Sequence, residues 1–338
     1  MTESSLTDEW AYVARPKARG CIKATAEDFR VEELLGYELD GSGEHIYLFV
    51  EKRGVNTQDL MHELARKLLV HPKHISFSGL KDKHAVTRQW ISINTRKEID
   101  IAALESPGVK ILEASRHRGK LKRGSHRANA FEIVVRELQS TEGLEAQIES
   151  IREQGVPNYF GAQRFGHRAE NVERARQLFS ASIKVNRHQR GIYLSAARAF
   201  LFNEVLSERV RLDNWNKGLQ GEAMILDGSN SYFQTEALDD TLQDRLQQHD
   251  IHPSGPLWGK GELASSGEAR SLESEVIDRY PELAQGLEVF GLRQQRRATR
   301  LFPQDLKFEI LDKHSLQLKF TLPRGAFATT VLRELITI

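Results

Sequence analysis

Hydrophobic and polar positions in the first third of the chain switch between two periods. His45-Ile46-Tyr47-Leu48-Phe49-Val50 is a run enriched in residues that suit a half-buried or buried strand. After Gly54, the apolar residues Leu60, Met61, Leu64, Ala65 and Leu68 recur at helical spacing; Asn56 or Thr57 can cap that helix, and His71-Pro72 ends it. Ile75-Ser76-Phe77 and Val86 to Ile93 are extended again, giving the order strand, helix, short strand, loop, strand. Phe131 to Arg136 predicts a further strand. Near the C-terminus Leu316, Leu318, Phe320 and Leu322 alternate with Gln317, Lys319 and Thr321 in a period of two. A strand that late needs sheet partners, and the strands of the first half are the best candidates.

The middle of the chain has a different texture. Stretches 169–180 and 194–212 are helical in pattern, residues 236–250 are acidic and rich in glutamine, and glycine, proline and serine crowd 253–268. These features predict a mostly helical region inserted between the last strand of the first half and the terminal strand. No internal repeat is visible.

Length and composition set the class. With 338 residues, 39% of them apolar, the chain is long enough for two domains. The single Cys21 excludes an intramolecular disulfide and a cysteine-based metal site, and suits a reducing compartment. The first ten residues are acidic and polar, so no signal peptide is expected. No run of about 18 apolar residues is present, so no membrane association is expected and the cytoplasm is the expected location. There is no G-x-G-x-x-G after a strand, no phosphate-binding G-x-x-x-x-G-K-[ST], no H-E-x-x-H and no zinc-like spacing among the 12 histidines. Neither a cofactor nor a metal is expected.

Charge says more through its distribution than through its sum of +1. Cations gather at 116–127, at Lys184, Arg187, His188, Arg190 and Arg198, and at Arg293, Arg296, Arg297 and Arg300. Such polarisation is the expected footprint of nucleic-acid backbone recognition. Aromatics stand beside glycine and asparagine in Asn158-Tyr159-Phe160-Gly161-Ala162-Gln163-Arg164-Phe165-Gly166, and Phe327 follows the terminal strand. Such rings can stack on an unpaired base, although packing in a core is the commoner use. In Gly79-Leu80-Lys81-Asp82-Lys83-His84 a carboxylate lies between two lysines and beside a histidine. Neighbouring cations keep a carboxylate ionised, which makes Asp82 a candidate nucleophile or base toward a polyanionic substrate. A solvated turn would have the same composition.

Six stretches together resemble the tRNA pseudouridine synthase D family. They are Lys23 to Glu33, Gly43-Glu44-His45, Phe77 to Thr87, Asn129-Ala130-Phe131, Gly155 to Gly166, and Leu322 to Thr329, in the family's order and spanning most of the chain. The resemblance implies an α+β fold: a pseudouridine-synthase catalytic domain with a central, mostly antiparallel mixed sheet flanked by helices, interrupted by an inserted, family-specific α/β domain. On this likeness the catalytic domain comprises 1–155 and 306–338 and the insert 156–305. It implies isomerisation of uridine to pseudouridine at position 13 of tRNA, without cofactor; separately, a monomer with no obligate protein partner is expected. The family's nucleophile falls on Asp82 and its uracil contacts on Phe29, Asn129 and Phe327. Lys23, Lys81, Lys83, His84, Phe131 and Arg164 are candidate supporting residues. One departure is Leu80, where the better-known pattern has glutamine; a leucine there can face the core.

The chemistry fits a chain without cofactor motifs. The N1–C1′ bond breaks, the uracil turns, and C5 rejoins C1′, with no external reagent consumed. Asp82 can act at C1′, at C2′ as a base, or at uracil C6, and sequence leaves all three open. The base must leave its stack first, at a cost of a few kcal/mol. Phe29 or Phe327 would stack on it, and Asn129 would meet its edge. The basic loop at 116–127 and the inserted region are expected to grip the tRNA. Two rival classes use the same residues: a non-catalytic tRNA-binding protein, indifferent to loss of Asp82, and a hydrolase, which would release a cut strand or free uracil.

Overall fold

The computed structural model describes residues 10–338, so nine of the ten N-terminal residues read for a leader lie outside the described residues. The chain divides into two compact units. The first comprises Lys17–Ile148, Pro303–Gly325 and Ile336–Ile338; the second comprises residues 10–16, Glu149–Phe302 and Ala326–Leu335. The sequence reading drew its edges at 155/156 and 305/306, whereas the compact units change over at 148/149 and 302/303, and Ala326–Leu335 joins the middle of the chain.

The first unit is built on a nine-stranded sheet, counted among the described residues. Its first seven strands are β1 (Cys21–Ile22), β2 (Phe29–Leu34), β3 (His45–Arg53), β4 (Ile75–Phe77), β5 (Val86–Asn94), β6 (Val109–His117) and β7 (Ala128–Arg136). A C-terminal hairpin, Gln304–Asp312 and Ser315–Pro323, completes it. The alternating strand 315–323 pairs antiparallel with β7, from Leu316 opposite Val135 to Pro323 opposite Ala128, which is the late-strand pairing expected from the sequence. All pairs in this sheet are antiparallel except β2 with β5, where Arg30 lies beside Val86.

One helix, α1 (Thr57–Leu68), covers part of a sheet face. Asn56 caps it by accepting from the Gln58 amide at 2.9 Å, and Leu60, Met61, Leu64 and Ala65 pack against Ile46, Leu48, Val50, Ile75, Phe77, Ile91 and Ile93. Burial of each such side chain contributes roughly 1.5–3 kcal/mol.

The second unit is less helical than its composition suggests. The helices Glu170–Phe179, Gly267–Ile277 and Pro281–Val289 pack on a 25-residue helix, Arg187–Arg211, but the same unit holds a four-stranded antiparallel sheet. Its strand Ile251–Leu257 runs into the stretch that glycine, proline and serine crowd, through His252-Pro253-Ser254-Gly255-Pro256. The prolines fit because the strand changes partner there: Pro253 is the last residue to pair with Ala223–Leu226, and Ser254 the first to pair with Gln295–Ala298.

The third cluster of cations is mostly structural, against expectation. Arg296 is buried and bonds both carboxylate oxygens of Glu273, at 2.6 and 3.0 Å. Arg300 is buried on His252 Nδ1 and two carbonyls. Arg116 and Arg118 in the first cluster are also engaged: Arg116 donates to the carbonyls of Gly43, Thr95 and Lys97, and Arg118 forms a bidentate pair with Asp40, whose carboxyl it holds at about 2.

Candidate active site

The parallel pairing of β2 with β5 brings two chain segments to one edge of the sheet. Arg30 sits beside Val86, so residues preceding β2 and the loop preceding β5 leave the sheet together. Lys23 and Asp82, 59 positions apart, meet there as an ion pair between Nζ and Oδ2.

Each partner is held from behind. Lys23 has φ +59°, a left-handed conformation that costs a non-glycine residue roughly 1–3 kcal/mol. Two residues on, the Thr25 amide donates to Asp28 Oδ2 at 2.9 Å, and Asp28 is itself clamped by Arg136. The Lys23 ammonium also lies 4.5 Å from the centre of the Phe29 ring, a cation–π contact that adds to the ion pair. Phe29 is buried and meets Phe131 edge-on, and Phe131 stacks on Phe320.

On the Asp82 side, Oδ1 accepts from the His84 amide at 2.9 Å in a tight Asx turn. Burial acts to raise the Asp82 pKa, but the hydrogen bonds from Lys23 and the His84 amide, with the charges of both residues, outweigh it. The carboxyl is held below its ordinary value, so Asp82 is an ionised, 38% exposed side chain at neutral pH. His84 therefore shapes the loop through its backbone. Lys83 is exposed.

Lys81 faces the other way. Its Nζ lies 2.7 Å from Glu33 Oε2, and both side chains are almost wholly buried. The cation that holds Asp82 is thus Lys23, while Lys81 neutralises a carboxylate inside the sheet. Leu80 is 60% exposed rather than facing the core, because Lys81 takes the inward direction.

A buried polar chain links that pair to Asn129. Glu33 stands opposite Asn129 in the pairing of β2 with β7 and accepts from the Trp90 amide. His126 Nδ1 is 2.6 Å from Ser78 Oγ and 4.0 Å from Glu33 Oε2, and His126 Nε2 is 3.3 Å from Asn129 Nδ2. Burial, with the charges of Lys81 and Arg324, pushes His126 down to about 4, so it is neutral at working pH. The Asn129 Oδ1 atom is buried without a hydrogen-bond partner. Glu33 and His126 escaped the sequence reading. The signal for Glu33 was a charge in phase with the inward positions Phe29 and Val31 of β2; His126 had no such signal.

Phe327 and Arg164 belong to the second unit. Phe327 lies edge-on to Phe160 at 6.1 Å, and the Arg164 guanidinium sits 5.7 Å from the Phe160 ring and 5.9 Å from the Phe327 ring. A Cβ at Gly161 would meet Thr329 Oγ1 at 2.8 Å and Phe327 Cβ at 3.4 Å, so only glycine lets the two segments approach this closely. Asn203 holds the Phe160 backbone by both its amide and its carbonyl. Burial lowers the Arg164 pKa, and its Nε has no hydrogen-bond partner. The aromatic segment at 158–166 is therefore a rigid mount for Phe160 and Phe327.

The family model for tRNA pseudouridine synthase D (TruD) matches residues 8–174 and 169–335. The chain belongs to that family. The tRNA pseudouridine synthase D of Methylococcus capsulatus is 45% identical over 322 residues, covering 94% of this chain and 91% of the relative. That of Nitrosococcus oceani is 44% identical over 327 residues, covering 95% and 91%. A crystal structure assigned to the same family, from Methanosarcina mazei, superposes with a TM-score of 0.73 at 22% identity, over 97% of this chain and 96% of that one. The fold is thus that of the family, and the chain is an isomerase of the pseudouridine synthase class. Among the described residues, no helix is long and apolar enough to cross a membrane.

Proposed function

We propose that this enzyme converts uridine 13 of tRNA to pseudouridine, with Asp82 as the group that acts on the nucleoside. The observation that carries the proposal is the Lys23–Asp82 pair, a carboxylate kept ionised at an accessible edge of the sheet by a cation that is itself locked in place. Asp82 attacks C1′ or uracil C6, or removes a proton at C2′; each route needs the carboxylate and no external reagent. Asn129 reads the flipped uracil: its unpartnered Oδ1 accepts from N3–H, and its amide faces a carbonyl oxygen. Phe29 or Phe327 stacks on the detached ring. Phe131 and Arg164 support these aromatics, and Lys83 and the exposed cations Lys184, Arg187, His188 and Arg190 meet tRNA phosphates.

On this reading the protein works as a cytoplasmic monomer. The test is carbodiimide-blocked primer extension on an unmodified tRNA transcript. Wild type is expected to give one new stop at position 13 and Asp82→Asn none. A stop at another uridine removes the position, and a stop that persists in Asp82→Asn removes the role of Asp82.

A further inference from the structure

Lys52 is a charged side chain that the reaction as described does not use. It lies near the end of β3, between Thr87 on β5 and Val109 on β6, and it is completely inaccessible to solvent. Its ammonium donates to three backbone carbonyls: Val55 at 2.8 Å, Asp82 at 2.8 Å and Lys81 at 3.2 Å. An ammonium has three donors and no acceptor, so three converging carbonyls satisfy it completely. Two of the three belong to the loop that carries the candidate nucleophile, one being Asp82's own carbonyl. The Thr57 hydroxyl accepts from the Lys81 amide at 3.2 Å and donates to Gln89 Oε1 at 2.9 Å, tying the same loop to the start of α1.

We propose that Lys52 is a positioning residue for the isomerisation: its buried ammonium gathers the backbone of the loop at 81–82 so that the Asp82 carboxylate stands at the geometry required for attack. The inference rests on Asp82 being the acting group. A lysine buried this deeply is costly unless it does something a neutral side chain cannot, and three charge-assisted hydrogen bonds to carbonyls are that function. The ionisable groups facing it are Asp82, which favours its charge, and Lys81, which opposes it; burial dominates both and lowers its pKa to about 8. On losing its proton the amine keeps two donors and turns a lone pair toward a carbonyl, so one support of the loop is lost. Loop geometry is then coupled to pH just above neutrality, while tRNA binding is not, because Lys52 has no exposed surface with which to touch RNA.

Single-turnover rates of pseudouridine formation and, separately, tRNA affinity decide the matter, measured on either side of pH about 8 for wild type, Lys52→Met and Asp82→Asn. Wild type is expected to slow as pH rises through that value with affinity unchanged. Lys52→Met is expected to bind tRNA equally well, to react roughly 10²-fold more slowly at neutral pH, and to lack the inflection. A Lys52→Met enzyme with the wild-type rate, or one that keeps the inflection, overturns the positioning role. Should that variant fail to fold, a wild-type rate that stays level through the same pH range overturns it. An active Asp82→Asn enzyme instead removes the underlying role of Asp82, whereas an inactive one beside a full-speed Lys52→Met enzyme removes only the inference.

Discussion

At the scale of single residues, the chemistry turns on which cation serves which carboxylate. The loop holds Lys81, Asp82 and Lys83 in a row, and sequence proximity nominated the two neighbours; the structure pairs Asp82 with Lys23 and turns Lys81 onto Glu33. Asp82 itself was legible because a carboxylate among cations is a local pattern. Its partner, 59 positions away, was named as a supporting residue only through the family likeness, because the pairing depends on strand order. Lys23 holds the Asp82 carboxyl below its ordinary value, so the ionised form survives to lower pH. Replacing Lys23 by Gln leaves burial, which acts upward, less opposed. The acid limb of the single-turnover rate is then expected to move to higher pH. An unmoved limb would mean that the limb does not report Asp82.

At the scale of elements, β2 and the loop before β5 are joined by the buried Lys81–Glu33 pair. Breaking such a pair strands a charge inside the sheet, so Lys81→Met is expected to destabilise the fold by about 3–5 kcal/mol, read from denaturant midpoints. The double variant Lys81→Met, Glu33→Gln is expected to recover much of that loss, since no carboxylate is left unpaired. The elements that sequence made clearest were those with unbroken periodicity: α1, β3, β5, β7 and the strand at 315–323. Strand Ile251–Leu257 was hidden by two prolines and a glycine that the change of partner at Pro253 and Ser254 accommodates. Strand β6 was hidden by Glu113, Ser115 and Arg116, exposed or half-buried positions that break its alternation.

At the scale of the whole molecule, one nine-stranded sheet among the described residues joins strands far apart in the sequence, with β7 accepting a strand that arrives some 180 residues later. The late alternating strand made that closure legible, whereas the sharing of Ala326–Leu335 with the middle unit was not, because its apolar face carries no label of the surface it meets. The same uncertainty applied to cations, since arginines that gather in sequence serve carbonyls and carboxylates as readily as phosphates, and Arg116, Arg118, Arg296 and Arg300 do so here. The central claim is that Asp82, held by Lys23, drives isomerisation without cutting the chain. Its most direct test uses tRNA carrying tritium at C5 of uridine 13, because C5 must give up its hydrogen when it rejoins C1′. Wild type is expected to release tritium while the tRNA keeps its full length, and Asp82→Asn to bind tRNA yet release none, a loss of about 10⁴-fold or more. Tritium release by Asp82→Asn at a rate near wild type, or shortened RNA with the wild-type enzyme, would contradict the account.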